Sequence, residues 1–133
     1  MNAVEIEEAL SALADAPFQP AEFPYQFLTA FGNKDTTIKR LRKGDSNASD
    51  VPGAILQRAN IHLASSAPGK VHETLQALRA SPRTLSAKAK FILATDGHTL
   101  EAEDLISGEV LSCDFKDFAD HFGFFLPLAG IST

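Results

Sequence analysis

Cysteine is nearly missing from this chain of 133 residues: Cys113 stands alone, there is no tryptophan, and tyrosine and methionine occur once each. A single thiol excludes an internal disulfide and a cysteine-built zinc cluster. No apolar run reaches the roughly 18 residues that a membrane helix needs. The N-terminal MNAVEIEEAL places acids where a signal peptide carries bases and then an apolar stretch. A cytoplasmic protein that does not span a membrane is expected. With 44% hydrophobic and 22% charged residues, 8 Gly and 7 Pro, the composition is that of a single globular domain. That excludes disorder, collagen and a disulfide scaffold.

Positive charge is also missing over long stretches. Residues 1–33 hold five acids and no Lys or Arg, and residues 91–133 hold eight acids and only Lys116. Eleven of the twelve bases fall in 34–90, against four acids. The steepest piece contains Lys34, Lys39, Arg40, Arg42 and Lys43, with Arg58 further on. Such a block on an acidic protein suits a phosphate-facing patch. It also suits a solvated helix face, or bases paired with the acidic flanks.

The pattern predicts an α+β fold: N-terminal helices, then a small mixed sheet with a helix. Apolar positions 6, 9, 10 and 13 predict a first helix over 4–13. Pro24 in a first turn and Gly32-Asn33 after the end bound a second, with Phe23, Phe27, Leu28 and Phe31 as its buried stripe. Asp35 is the expected N-cap of a third helix, 36–43, stopped by Gly44, with Ile38 and Leu41 inward. The segment AILQRANIHLA after Gly53 reads as one strand of mixed polarity. Helical spacing returns over 70–80. Three short strands follow at 91–95, 99–105 and 109–114, turning at Asp96-Gly97 and Ser107-Gly108. A short helix over 115–122 leads into FGFFLPLAGIST. Five of the ten phenylalanines lie in 115–125. Either this segment tucks back onto the core or it forms the junction with a further domain, in which case Phe124, Phe125 and Leu128 should be partly exposed.

Several chemistries fail on inspection. Ser65-Ser66-Ala67-Pro68-Gly69-Lys70-Val71 lacks the first glycine and the Ser/Thr after lysine of a phosphate loop. There is no Gly-x-Gly-x-x-Gly after a strand and no Asn/Asp-Pro-Pro-aromatic tetrapeptide of the amino-methyltransferases. This segment by itself is expected neither to hydrolyse nucleotides nor to methylate DNA. His98, Glu101, Glu103 and Asp104 lie close enough in sequence to suggest a metal site, but acids beside a turn more commonly form a solvated edge. His62 and His72 have no partner at metal-ligand spacing, and Cys113 alternates with Leu111 as a small core residue would.

GNKDTTIKRLRKGDSN, VPGAILQRANIHLA, KAKFILATDG and FFLPLAGI, in that order, carry a resemblance. The chain resembles the N-terminal domain of MmeI-like (type IIL) DNA methyltransferases and restriction–modification proteins, from about Phe23 to Ile131. The resemblance implies a PD-(D/E)xK nuclease-like core and a single domain over 1–133 that forms part of a longer protein. It further implies a methyltransferase domain in the same chain, which uses S-adenosylmethionine to modify adenine N6 in double-stranded DNA. No cofactor is implied for the segment itself.

Nuclease members of that family carry Asp, a spacer, then Glu-x-Lys on a strand, to hold magnesium and position water. Counting from Asp50 places Asn60-Ile61-His62 at Glu-x-Lys, and matching Pro52-Gly53 places Arg58-Ala59-Asn60 there. Neither register supplies the carboxylate or the lysine, so the nuclease centre is expected to be degenerate. The leading expectation is a non-catalytic domain whose Lys34, Lys39, Arg40, Arg42, Lys43 and Arg58 face DNA phosphate. Two rivals are a divergent live nuclease using Asp50 with Asp96 or Glu73, and a structural module docking through its Phe-rich end.

Overall fold

A computed structural model describes residues 2–131. Three helices come first: α1 (Ala3–Asp15), α2 (Phe23–Ala30) and α3 (Asp35–Lys43). Then follow β1 (Ile55–Gln57), β2 (Ile61–Ser65), α4 (Val71–Ala80), α5 (Pro82–Ser86), β3 (Phe91–Thr95), β4 (Thr99–Asp104) and β5 (Val110–Asp114). A 3₁₀ segment, Phe115–Ala129, closes the described chain. The class is α+β, as the sequence pattern predicts.

The five strands form one sheet in the order β1-β2-β3-β4-β5. β2 and β3 pair in parallel and the other neighbours antiparallel. A parallel pair cannot be joined by a tight turn, so α4 and α5 make the crossover. Side-chain alternation sorts the strands into two faces. Ile61, Leu63, Phe91, Leu93, Leu100 and Ala102 face the helices α1–α3 and the 3₁₀ segment. Ala64, Ile92 and Ala94 face α4 through Val71, Leu75 and Leu78. β2 and β3 are therefore covered on both faces and read as apolar runs, whereas β4 alternates.

All ten phenylalanines are packed in or against the first of these cores. Phe23, Phe27, Phe91, Phe118 and Phe125 are fully enclosed, and each such ring contributes about 1.5–3 kcal/mol of burial. Phe115, Phe118 and Phe125 reach this core from the 3₁₀ segment. The C-terminal stretch thus tucks back onto the core. Phe125 and Leu128 are buried and Phe124 is half-exposed.

Three local expectations are corrected. Lys34, not Asp35, is the N-cap of α3, without a side-chain cap bond; Asp35 is the first helical residue, where its charge still favours the helix dipole. AILQRANIHLA is not one strand but a hairpin, β1 and β2 turning at 58–60, where Ala59 takes φ 61°. The expected helix over 115–122 is a 3₁₀ run with non-helical backbone at His121 and Pro127 inside it. A fifth helix, α5, was not expected, although Ser81 caps it through Arg83 N–H and Pro82 opens it.

Candidate functional site

The bend between β1 and β2 changes what the nuclease register means. Arg58 and Asn60 sit in the turn rather than along a strand, and His62 lies inside β2. The His62 ring is completely buried. Its Nε2 lies 2.7 Å from Ser49 Oγ and its Nδ1 lies 2.8 Å from Thr84 Oγ1. Burial pushes its pKa down to about 4, with the nearby Asp50 charge opposing. Asp50 itself accepts from Ser81 Oγ at 2.6 Å. His62 is thus a neutral imidazole bonded on both sides and Asn60 a turn amide; neither is a carboxylate or a lysine.

The carboxylates of the live-nuclease alternative do not share a site. Glu73 pairs with Lys70 on the exposed first turn of α4. Asp96 accepts backbone N–H groups from Gly69, His98 and Thr99. Partial burial pushes its carboxyl up, but those bonds outweigh it and hold the pKa below the usual range. The acids of the supposed metal edge are also separated. Glu101 lies 3.2 Å from His72 Nδ1, Glu103 pairs with Arg79, and Asp104 accepts from Ile106 and Ser107 N–H. Among the described residues no group of three His, Cys, Asp or Glu is placed to hold a metal ion. Cys113 is half-buried, and burial, with Asp117 and Asp114 nearby, pushes its thiol up to about 11, which leaves little thiolate.

The six bases are all exposed, but they do not all border one groove. Residues 39 and 42, one turn apart on α3, turn towards α1 and α2. Lys39 and Arg42 line a groove of about 770 Å³ whose floor includes Leu13, Tyr25 and Ile38. There Arg42 is already engaged: its guanidinium makes a two-pronged bond to Glu22, at 2.8 and 2.6 Å, and lies 4.1 Å over the Tyr25 ring. The hydrogen bond to Arg42 holds the Glu22 carboxyl below its ordinary range. For this one residue, pairing with the acidic flank is what the fold does.

Arg40 points the other way. Arg40 and Arg58 line a groove of about 360 Å³ between α3 and the β1–β2 turn, with Thr37, Ser46 and Asp45 on its wall. On the far side of Gln57 and Arg58 lies a second groove of about 390 Å³, lined by Asn33, Asn60 and Leu128 among others. Lys34 and Lys43 border neither groove, at opposite ends of α3.

Three amides connect these grooves, and the sequence reading linked none of them to the others. Asn33 Nδ2 donates to the Leu28 carbonyl at 2.9 Å, Gln57 Nε2 donates to Asn33 Oδ1 at 2.8 Å, and Asn60 Nδ2 donates to Gln57 Oε1 at 2.5 Å. The spacing of Gln57 and Asn60 around Arg58-Ala59 was the available clue. Without the turn, nothing in the sequence joins them to Asn33.

No helix among the described residues is long and apolar enough to cross a membrane. Over residues 1–133 the chain matches the family model described as "MmeI, N-terminal domain". It is 26% identical over 131 residues to DNA methyltransferase A of Bacillus subtilis (strain 168). That alignment covers 98% of this chain and 15% of the relative, so the chain spans a small part of the protein it matches. No solved structure matches it.

Proposed function

The chain belongs to the MmeI N-terminal domain family, and on that footing we propose that it is a non-catalytic, nuclease-like domain of a bacterial adenine-specific DNA methyltransferase. It would serve restriction–modification or phage defence by holding double-stranded DNA through phosphate contacts. Methyl transfer from S-adenosylmethionine would belong to a methyltransferase domain in the same chain. Residues 1–133 do not fit that cofactor: they lack both the glycine-rich turn after a strand and the Asn/Asp-Pro-Pro-aromatic motif. Nor do they fit a catalytic magnesium ion, because Asn60 and His62 offer no carboxylate.

The observation that carries this reading is the site around the β1–β2 turn. Asn60 is a turn amide and His62 a buried neutral imidazole, neither of which can hold magnesium as a carboxylate does, while Arg40 and Arg58 open into one groove beside them. Arginines there can bind phosphate oxygens whatever the DNA sequence. Lys43 and Lys34, exposed on the same helix, would extend the contact along the backbone. Arg42 has a smaller part than its neighbours, since binding phosphate would cost it the Glu22 pair. Lys39 shares the α1–α3 side with it.

The test is a comparison in the full-length protein. Replacing Arg40 and Arg58 together by Ala should weaken binding to duplex DNA about equally for unrelated sequences. Affinity unchanged by the double substitution would transfer the role to a structural docking module.

A further inference from the structure

The amide relay has a direction. A backbone carbonyl can only accept, so the Leu28 oxygen fixes Asn33 Nδ2 as a donor and Asn33 Oδ1 as the acceptor. Gln57 must then give its NH₂ to Asn33 and its oxygen to Asn60. The polarity passes along the chain and ends at Asn60. Its Oδ1 has no partner among the described residues, and only one of its two Nδ2 hydrogens is used. Asn60 thus keeps a free acceptor, Oδ1, and one free Nδ2 hydrogen on the same amide.

The backbone around this amide is fixed. Between Arg58 and Asn60 stands Ala59, exposed, with a left-handed φ of 61°. A non-glycine residue rarely adopts that conformation, and here the Ala59 N–H is tied to the Ala87 carbonyl at 2.8 Å. The Asn60 carbonyl is fixed from behind by Lys90 and Phe91 N–H. Asn60 lines the 390 Å³ groove, and Arg58 borders both this groove and the one that contains Arg40.

We propose that this groove reads a nucleobase edge, with adenine as its ligand: Asn60 Oδ1 accepts from N6–H and Asn60 Nδ2 donates to N7. An adjacent donor and acceptor at that spacing occur on the adenine edge in the major groove, and a side-chain amide is their bidentate match. Arg58 and Arg40 hold the phosphates beside the base. The inference rests on the DNA-binding reading above and adds to it a sequence preference located in this domain.

The experiment uses the full-length protein and duplexes of equal length. A selection from a randomised duplex library should show a preference for adenine at one position that disappears in Asn60→Ala, with thermal melting confirming that the variant is folded. Placing 7-deazaadenine there removes the N7 acceptor. It should weaken wild-type binding about tenfold and leave Asn60→Ala unaffected. Gln57→Ala, which releases Asn60 without touching its amide, should lose part of the same preference. If Asn60→Ala and 7-deazaadenine each leave the sequence profile unchanged while Arg40→Ala weakens all duplexes, the base-reading proposal is wrong and the phosphate reading stands. If Arg40→Ala is also without effect, both are wrong.

Discussion

His62 Nδ1 lies 2.8 Å from Thr84 Oγ1, and that hydroxyl is itself committed to the Leu78 carbonyl at 2.5 Å. With its proton given to Leu78, Thr84 can only accept from the ring, so Nδ1 carries the hydrogen. Nε2 is then an acceptor, and Ser49 Oγ–H fills it. The ring is neutral and satisfied on both sides, which is why a buried imidazole is tolerated between the sheet and α5.

This arrangement makes stability fall in acid. His62 has its folded pKa depressed to about 4 from its ordinary value of 6.5. Below pH 6.5 the unfolded chain takes up a proton that the folded ring refuses. The contribution is therefore present above pH 6.5 and is lost as pH falls towards 4, at most about 3 kcal/mol. Thermal melting between pH 7 and pH 5 should show this decline in the wild type. His62→Gln should lower Tm at pH 7 but flatten the pH dependence over that interval; an equally steep decline in the variant would show that His62 does not cause it.

Gly97, in the turn between β3 and β4, is packed tightly against Phe18. Its φ is +87°, and a Cβ added there would lie 2.4 Å from the Phe18 ring. Phe18 packs edge-on to Phe115, so the ring cannot swing aside without disturbing the core. Gly97→Ala should destabilise the fold by about 1–3 kcal/mol through overpacking and backbone strain. Chemical denaturation measures it, and a variant of wild-type stability would mean that Phe18 is free to move.

Legibility in the sequence followed the length and clarity of each local pattern. α2 was legible because Pro24, a phenylalanine stripe at helical spacing and Gly32 agree. β3 was legible because four apolar residues and a threonine precede Asp96-Gly97. The β1–β2 hairpin was not, because Arg58-Ala59-Asn60 contains neither glycine nor proline and Ala59 adopts the left-handed conformation unannounced. That one turn hid the site. It brings Asn60 to Gln57, which itself reaches Asn33 across 24 residues of chain. The Arg42–Glu22 pair was hidden for a similar reason: the two residues are 20 apart, and the sequence cannot show which side of α3 meets α2.

Cleavage should be absent. The full-length protein, incubated with supercoiled plasmid and magnesium or manganese, should leave the plasmid intact as far as this domain is concerned. Nicking that disappears in Asp50→Ala would identify a live centre around Asp50 and overturn the non-catalytic reading.

The two sides of α3 should respond differently to substitution. Arg42→Ala breaks the pair with Glu22, so it should lower Tm slightly while leaving DNA affinity close to wild type. Arg40→Ala should leave Tm close to wild type and weaken DNA binding. The reverse pattern would place the DNA contact on the α1–α3 groove.

The salt dependence of DNA binding by the full-length protein tests the central claim most directly. Each phosphate contact adds about −0.9 to the slope of log K against log salt. Replacing Arg40, Lys43 and Arg58 together by Ala should flatten that slope by roughly two to three, at equal cost to all sequences, whereas Lys39→Ala with Arg42→Ala should change it by less than one. A slope unaffected by the triple substitution would contradict the account and leave these bases as a solvated surface.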